Sequence, residues 1–228
     1  MSLFIGHIPC PKCGSKNNLG DYDDHQYCFG CQYYVHKTDT ASLRARINRG
    51  ETKQSDGTLI STTKDIPQEA MQWLLKYNIT PDEISKYKIK WSNPSKVLVL
   101  IQTKTYWQGR NFGFGLQKYK SQGIKPLTVY GKGDTVILVE DVLSAIKIAR
   151  TEEFAAVPVL GSSLSKEHEV KLIKRFNSIY VWLDRDKAKN AVQIKNRLRS
   201  KGITSRAIIT PLDPKEYNKT EITQWLKS

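Results

Sequence analysis

Cys10, Cys13, Cys28 and Cys31 are the only cysteines of this chain, and they fall as C-x2-C-x14-C-x2-C. Two such knuckles at that separation can bring four thiolates around one Zn2+ in tetrahedral geometry, with the intervening hairpin forming a zinc ribbon. Each knuckle carries turn chemistry, Pro11-Lys12-Cys13-Gly14 in the first and Phe29-Gly30-Cys31 in the second. Disulfide pairing is the competing reading. Against it, no apolar secretory segment is present and all four cysteines lie within the first 31 residues. A site with four protein ligands has no open position, so this metal is expected to hold a shape and to catalyse nothing.

The charge balance points to the partner. Lys and Arg outnumber Asp and Glu by 36 to 22 over 228 residues, a formal charge of +14. Such an excess usually matches a polyanion, most often nucleic acid. No apolar run approaches the roughly 18 residues of a membrane span, so no membrane association is expected. The length allows a small N-terminal module and one domain of ordinary size.

Along the chain, residues 1–37 read as the ribbon, with Tyr27, Phe29, Tyr33, Tyr34 and Val35 supplying short antiparallel strands around the second knuckle. Residues 38–64 are polar and read as a flexible linker, in which Leu43 to Arg49 could form two helical turns. Residues 65–134 follow as a separate segment. Pro67 reads as a helix start, Thr80-Pro81-Asp82-Glu83 as an N-cap with Pro at the first helical position, and Val97–Gln102 with Thr105–Arg110 as a hairpin.

Residues 135–228 alternate strand and helix. Val136–Val139, Ala155–Leu160 and Ser178–Leu183 are apolar runs suited to strands buried on both faces, and Ala207-Ile208-Ile209 reads as the last strand. Helical patterns over 142–150, 166–175 and 187–200 separate them. The expected class is α/β, a parallel sheet with helices on both faces.

Acidic residues punctuate that sheet. Glu140 and Asp141 end one strand, Asp184 and Asp186 another, and Asp213 with Glu216 follows the last. Ligands gather at the carboxyl ends of strands in open α/β sheets. Clustered carboxylates repel one another unless a divalent cation neutralises them. Helix N-terminal acids that complement the dipole are the plainer explanation for any single cluster.

These residues resemble a known family. Glu140, Asp184-x-Asp186 and Asp213, each after a strand, look like the Toprim fold of primases and topoisomerases. The segment from His7 to Cys31, including His25 before Cys28, is similar to the template-reading zinc domain of phage primase–helicases. The resemblance covers essentially the whole chain: ribbon, linker, basic N-terminal subdomain (65–134) and Toprim domain (135–228).

It implies a DNA primase that makes short RNA primers on single-stranded DNA from ribonucleoside triphosphates. Glu140, Asp184, Asp186 and Asp213 would be catalytic. Glu140, Asp184 and Asp186 would hold catalytic Mg2+ or Mn2+, and Glu140 is either a ligand or an aid to deprotonating the attacking hydroxyl. Arg110 and Lys118, in Trp107–Asn111 and Gln117–Tyr119, would grip triphosphate or the nascent strand, and His25 would contact a template base. Lys12, Lys16 and Lys37 could add phosphate contacts, and the basic residues from Lys187 to Lys201 are expected mostly to be a solvated helix face.

The departures from the family pattern bear on the metal geometry. Asp141 follows the catalytic-type Glu140, either as a substitute carboxylate or as a helix cap, and Lys187-Ala188-Lys189 follows Asp186. No G-x-x-x-x-G-K-[ST] occurs in the chain, so unwinding is expected to come from a separate replicative helicase. The expected location is the cytoplasm of a phage-infected bacterium. The alternative is a non-catalytic zinc–Toprim DNA-binding protein of the recombination-mediator type.

Overall fold

The computed structural model describes residues 4–22, 25–36, 59–114, 117–161 and 163–227. The chain forms two compact units, Met1–Asp56 and Gly57–Ser228. The helical turns expected over 43–49 and most of the expected linker lie outside the described residues, as do Asp23, Asp24 and Lys37.

The first unit is a four-stranded antiparallel sheet in sequential order: β1 (Phe4–Ile8), β2 (Leu19–Tyr22), β3 (His25–Cys28) and β4 (Tyr34–His36). Its core is small. Cys10, Leu19 and Cys28 are buried, with Ile8, Cys31 and Tyr33 packed around them. So little apolar surface cannot hold a domain of this size, which is the usual reason for a metal staple.

The second unit opens with two short helices, α1 (Gln68–Lys76) and α2 (Pro81–Lys86). Both begin where expected. Thr80 and Glu83 form a reciprocal capping box, with Glu83 N–H donating to Thr80 Oγ1 (3.2 Å) and Thr80 N–H donating to Glu83 Oε2 (2.9 Å). A four-stranded antiparallel sheet comes next: β5 (Lys90–Ser92), β6 (Val97–Gln102), β7 (Tyr106–Asn111) and β8 (Tyr119–Gly123). Gly109 is obligatory there, because a Cβ would lie 2.4 Å from the Leu98 carbonyl oxygen on β6. Residues 60–63 are already attached to this sheet. Thr63 exchanges two backbone bonds with Trp91, and Gln102 Nε2 donates to Ile60 O.

The last layer is a five-stranded sheet in the order β13-β12-β10-β11-β9. Its strands are β9 (Tyr130–Gly131), β10 (Thr135–Val139), β11 (Ala155–Pro158), β12 (Ser178–Val181) and β13 (Thr204–Ala207). The last four are parallel, and β9 adds an antiparallel edge. The helices α3 (Val142–Ala149), α4 (Lys166–Arg175) and α5 (Ala188–Arg199) connect the parallel strands, and α6 (Lys219–Lys227) ends the described chain. Among the described residues, no helix is long and apolar enough to cross a membrane.

The last strand differs from expectation. It is the polar Thr204–Ala207 rather than Ala207–Ile209. An edge strand needs partners more than apolar bulk. Ser205 Oγ donates to Ile179 O (2.6 Å), and Arg206 donates to Trp225 O and Leu226 O at the end of α6. Ile209 is left 54% exposed.

One apolar core joins the two layers of the second unit. Leu74, Trp91 and Leu98 share it with Ile137, Val139, Ile146 and Trp182. A second core on the opposite face of the parallel sheet holds Val136, Leu138, Val181, Leu172 and Ile194. Polar links reinforce the joint. Arg150, at the end of α3, pairs through Nε with Glu83 Oε1 (2.5 Å) and through Nη2 with Glu83 Oε2 (2.6 Å), and it also reaches Asn78 O. The buried Lys147 donates to Tyr77 O (3.3 Å), capping the end of α1.

Candidate active site and metal centres

In the ribbon the four Sγ atoms all lie within 4.8 Å of one another. Cys10 and Cys31 are 3.7 Å apart at sulfur, and Cys13 and Cys28 are 3.8 Å apart. Sulfurs held about 2.3 Å from one tetrahedral ion are separated by about 3.8 Å, whereas a disulfide needs about 2.05 Å. The set fits one zinc ion and does not fit two disulfides. Burial pushes the Cys31 thiol up to about 12, and the neighbouring thiols add to it. At Cys10 burial acts the same way, but the backbone N–H groups of Cys13 and Lys12 outweigh it and bring the thiol down to about 7. Thiols so close cannot all ionise without a cation among them.

His25 lies on β3 of the same sheet. Its ring stacks on Tyr22 (centroids 4.4 Å, 4° between planes) and faces Tyr34 at 5.3 Å. Phe4 meets both His7 and Tyr22 edge-on, so the aromatic row continues to β1. Phe4, Phe29 and Tyr34 remain about half exposed, at 49%, 59% and 55%. Lys12 and Lys16 are exposed on the same unit.

In the second unit, Glu140 and Asp141 follow β10, Asp184 and Asp186 follow β12, and Asp213 follows β13. The parallel register that pairs Leu138 with Val181 and Val181 with Ala207 brings these ends to one edge. At their centre stands Lys215. Its ammonium donates to Asp141 Oδ2 (2.9 Å), Asp213 Oδ2 (2.9 Å) and Asp184 Oδ2 (3.1 Å). Burial acts to lower the Lys215 pKa, yet the three carboxylates hold it well above the usual lysine range.

The remaining oxygens are left differently. Glu140 Oε2 and Asp184 Oδ1 are buried with no hydrogen-bond partner. Burial pushes Glu140 up, with Asp186 adding its repulsion. Burial also pushes Asp184 up to about 7, against the pull of Lys215 and with help from Asp141 and Asp213. Asp213 goes the other way, because its bond to Lys215 overcomes burial and holds it below its ordinary value. Buried unpartnered carboxylate oxygens on two adjacent strands are the donor set a hard divalent ion takes. Asp186 is more open and pairs with Lys187. Among the described residues, the cysteines are the one group of three or more such side chains whose ligand atoms come within 4.8 Å of one another.

Asp141 is a helix cap as well as a member of the cluster. Ser144 N–H donates to its Oδ1 at 2.9 Å, leaving Oδ2 for Lys215. Glu216 closes a capping box with Asp213, accepting from its N–H at 2.9 Å.

Beside the acids, the Arg110 guanidinium lies between Trp73 and Tyr119, 5.6 Å from each ring centre, and its buried Nε has no partner. Desolvation, with Asp141 adding to it, pushes the Tyr119 phenol up to about 12. Lys118 is exposed on the adjoining residue. On α5 and in the turn after it the basic residues are partly engaged in the fold. Arg197 and Lys201 pair with the buried Glu169, and Arg199 Nε donates to Ser205 O.

Lys215 and Tyr119 are the site residues that sequence reasoning missed. The signal for Lys215 was available as the lone cation inside Asp213-Pro214-Lys215-Glu216, a place where an acidic cluster needs neutralising. Tyr119 had none, since a tyrosine on an exposed hairpin strand is unremarkable.

No known protein-family profile matches the chain. In sequence it is 23% identical over 241 residues to a DNA helicase/primase of Enterobacteria phage T3, covering 94% of this chain and 41% of that protein. The chain thus spans about two fifths of that relative's length. In structure it matches the zinc-binding and RNA polymerase domains of the Aquifex aeolicus primase, with TM-score 0.59 and 14% identity, over 100% of this chain and 80% of the other. It also matches the DnaG primase catalytic domain bound to single-stranded DNA, with TM-score 0.54 and 15% identity, over 82% of this chain and 79% of the other. The chain therefore has the fold of the zinc-binding and RNA polymerase domains of a bacterial primase and is similar in sequence to a phage DNA helicase/primase.

Proposed function

We propose that this chain is a DNA primase, a nucleotidyltransferase that joins ribonucleoside triphosphates on a single-stranded DNA template. The observation that carries the reading is the pair of buried, unpartnered oxygens, Glu140 Oε2 and Asp184 Oδ1, at neighbouring strand ends. Glu140, Asp184 and Asp186 would hold Mg2+ or Mn2+, with Asp213 beside them. Bound there, the metal supplies charge stabilisation to the attacking 3′-oxygen and the departing diphosphate.

The chain's own groups do the rest. Arg110, fixed between Trp73 and Tyr119, offers its guanidinium N–H groups to the triphosphate, and Lys118 adds a second cation. Lys215 holds Asp141, Asp184 and Asp213 together and stands as a further cation for incoming phosphates. On the ribbon, His25 is held by Tyr22 and Tyr34 so that its ring edge can meet a template base, and Lys12 and Lys16 contact the backbone. The helicase named in the phage T3 relative supports cooperation with a replicative helicase.

A second reading has one observation in its favour. Lys215 already neutralises three of the acids, as a non-catalytic zinc–Toprim DNA-binding protein would require. Incubation with single-stranded DNA of varied sequence, labelled ribonucleoside triphosphates and Mg2+ or Mn2+ separates the two. The expected result is short, template-dependent oligoribonucleotides whose yield falls at least about 100-fold in Asp184→Asn. Undiminished synthesis in that variant would remove the acids from the chemistry. Absence of product from DNA-binding protein, alone and with a replicative helicase, would favour the non-catalytic reading.

A further inference from the structure

The second unit carries a cavity of about 960 Å3 that the acidic edge does not use. Its walls come from the end of α2, from β5, β6 and β9, and from the end of α3. Register places it at the opposite end of the parallel sheet from the acids. Gly131 of β9 pairs with Ala155, which pairs with Val136 at the start of β10, whereas Glu140 follows the end of β10.

Five lysines line this cavity, Lys86, Lys88, Lys90, Lys104 and Lys132, against a single acid, Glu152. Among the described residues none of the five makes an ion pair, and Lys86 instead sits over an aromatic ring. Four of the five are exposed, so their charges meet an anion that approaches the cavity from solvent. Beneath the ammonium groups the lining is apolar and aromatic. Tyr87 and Tyr130 meet at 5.3 Å, the Lys86 ammonium sits 5.2 Å over the Tyr87 ring, and Ile101 is buried beside them.

Lys88 adds a second observation. It follows α2 with φ +56°, the left-handed position where glycine is usual, and a side chain there costs roughly 1–2 kcal/mol. The equivalent place after α1 is taken by Asn78, a residue that tolerates it. Glu152 on the same wall and Lys96 outside it take the same geometry, at φ +64° and +51°, so what is particular to Lys88 is its place among the other lysines.

We infer that this cavity is a second contact for single-stranded nucleic acid, with the lysines on successive phosphates and a base against the Tyr87 face. Unpaired cations over aromatic rings are the arrangement that binds single strands without reading sequence. The contact stands whether or not the acids catalyse, because its test reads binding alone.

The test is fluorescence anisotropy of a labelled oligothymidylate of about 20 nucleotides, titrated with the full chain over a range of NaCl. Lys88→Glu/Lys104→Glu/Lys132→Glu is expected to weaken binding at least about tenfold and to reduce the salt slope by about 2, at about 0.7 for each phosphate no longer neutralised. Lys88→Gln/Lys104→Gln/Lys132→Gln should lose the same slope and serves as a milder variant should the reversals unfold the protein. Reversal of Lys166, Lys174 and Lys219, exposed on α4 and α6, should change the slope by less than half as much. Tyr87→Ala should weaken the oligothymidylate but not inorganic polyphosphate. Equal losses from both sets of reversals, or an unchanged slope, would overturn the inference. Polyglutamate of matched charge binding as tightly as the oligothymidylate would overturn it in favour of an acidic peptide.

Discussion

The ribbon and the acidic edge are both clusters of like-charged ligands, and they solve the repulsion problem differently. Among the described residues the cysteines have no cation of the chain between them, and their sulfurs already stand at zinc spacing. The carboxylates have Lys215, which bonds three of them, and Glu140 Oε2 and Asp184 Oδ1 remain buried without a partner. The first arrangement is expected to need a metal in order to fold. The second is held together by Lys215, and on the proposed reading its two open oxygens would take an exchangeable divalent ion.

Metal removal should expose the difference most strongly. Structural zinc contributes about 10–16 kcal/mol of apparent free energy in small zinc modules. Chelation, or Cys28→Ser, should therefore unfold Met1–Asp56 while the transition of Gly57–Ser228 stays in place. Limited proteolysis and amide exchange would read this, and a ribbon that keeps its protection without zinc would end the contrast.

The next largest effect belongs to Lys215. Lys215→Met strands three carboxylates, and breaking a buried ion pair from one side costs about 3–5 kcal/mol. Denaturant titration should show that loss without divalent ions and a partial recovery on adding Mg2+. No recovery would mean that the acids do not take the ion.

A smaller effect is expected where an ion pair joins helices instead of ligands. Burial pushes Glu83 up, but its bonds to Arg150 and Thr80 overcome this and hold its pKa below the usual value. The native state therefore binds that proton more weakly than the unfolded chain does. The stabilisation is present above the unfolded value of about 4.3 and is lost as pH falls through the folded pKa. Glu83→Gln should cost about 2 kcal/mol at neutral pH and flatten the acid limb of the stability curve. Smallest of all, Lys171→Ala removes an exposed helical pair with Glu167 and should leave the melting temperature unchanged within the error of most melts.

Much of this was legible in the chain. The cysteine spacing, the capping residues Thr80 and Glu83, and the apolar runs that became β10 and β12 announce themselves, because metal geometry, caps and fully buried strands tolerate few alternatives. The polar β13 did not, since Ser205 and Arg206 are placed by partners on Ile179 and α6 that no local pattern reveals. The acids were visible as strand-end residues. That Lys215 clasps three of them depends on Asp141, 74 positions away along the chain, and only the fold joins the two. The lysine cavity was illegible for the same reason. Lys86 to Lys90 look like a solvated stretch until β6 and β9 bring Lys104 and Lys132 opposite.

The double engagement of Glu83 has a consequence for how the protein comes off the ribosome. One carboxylate caps α2 and also grips Arg150, 67 positions later, while Leu74 and Trp91 wait for Ile137 and Trp182 to complete their packing. Residues 65–134 emerge first, and their inner face stays greasy until α3 and β12 have been translated. Expressed without residues 135–228, that segment should aggregate, because many of its core partners are missing.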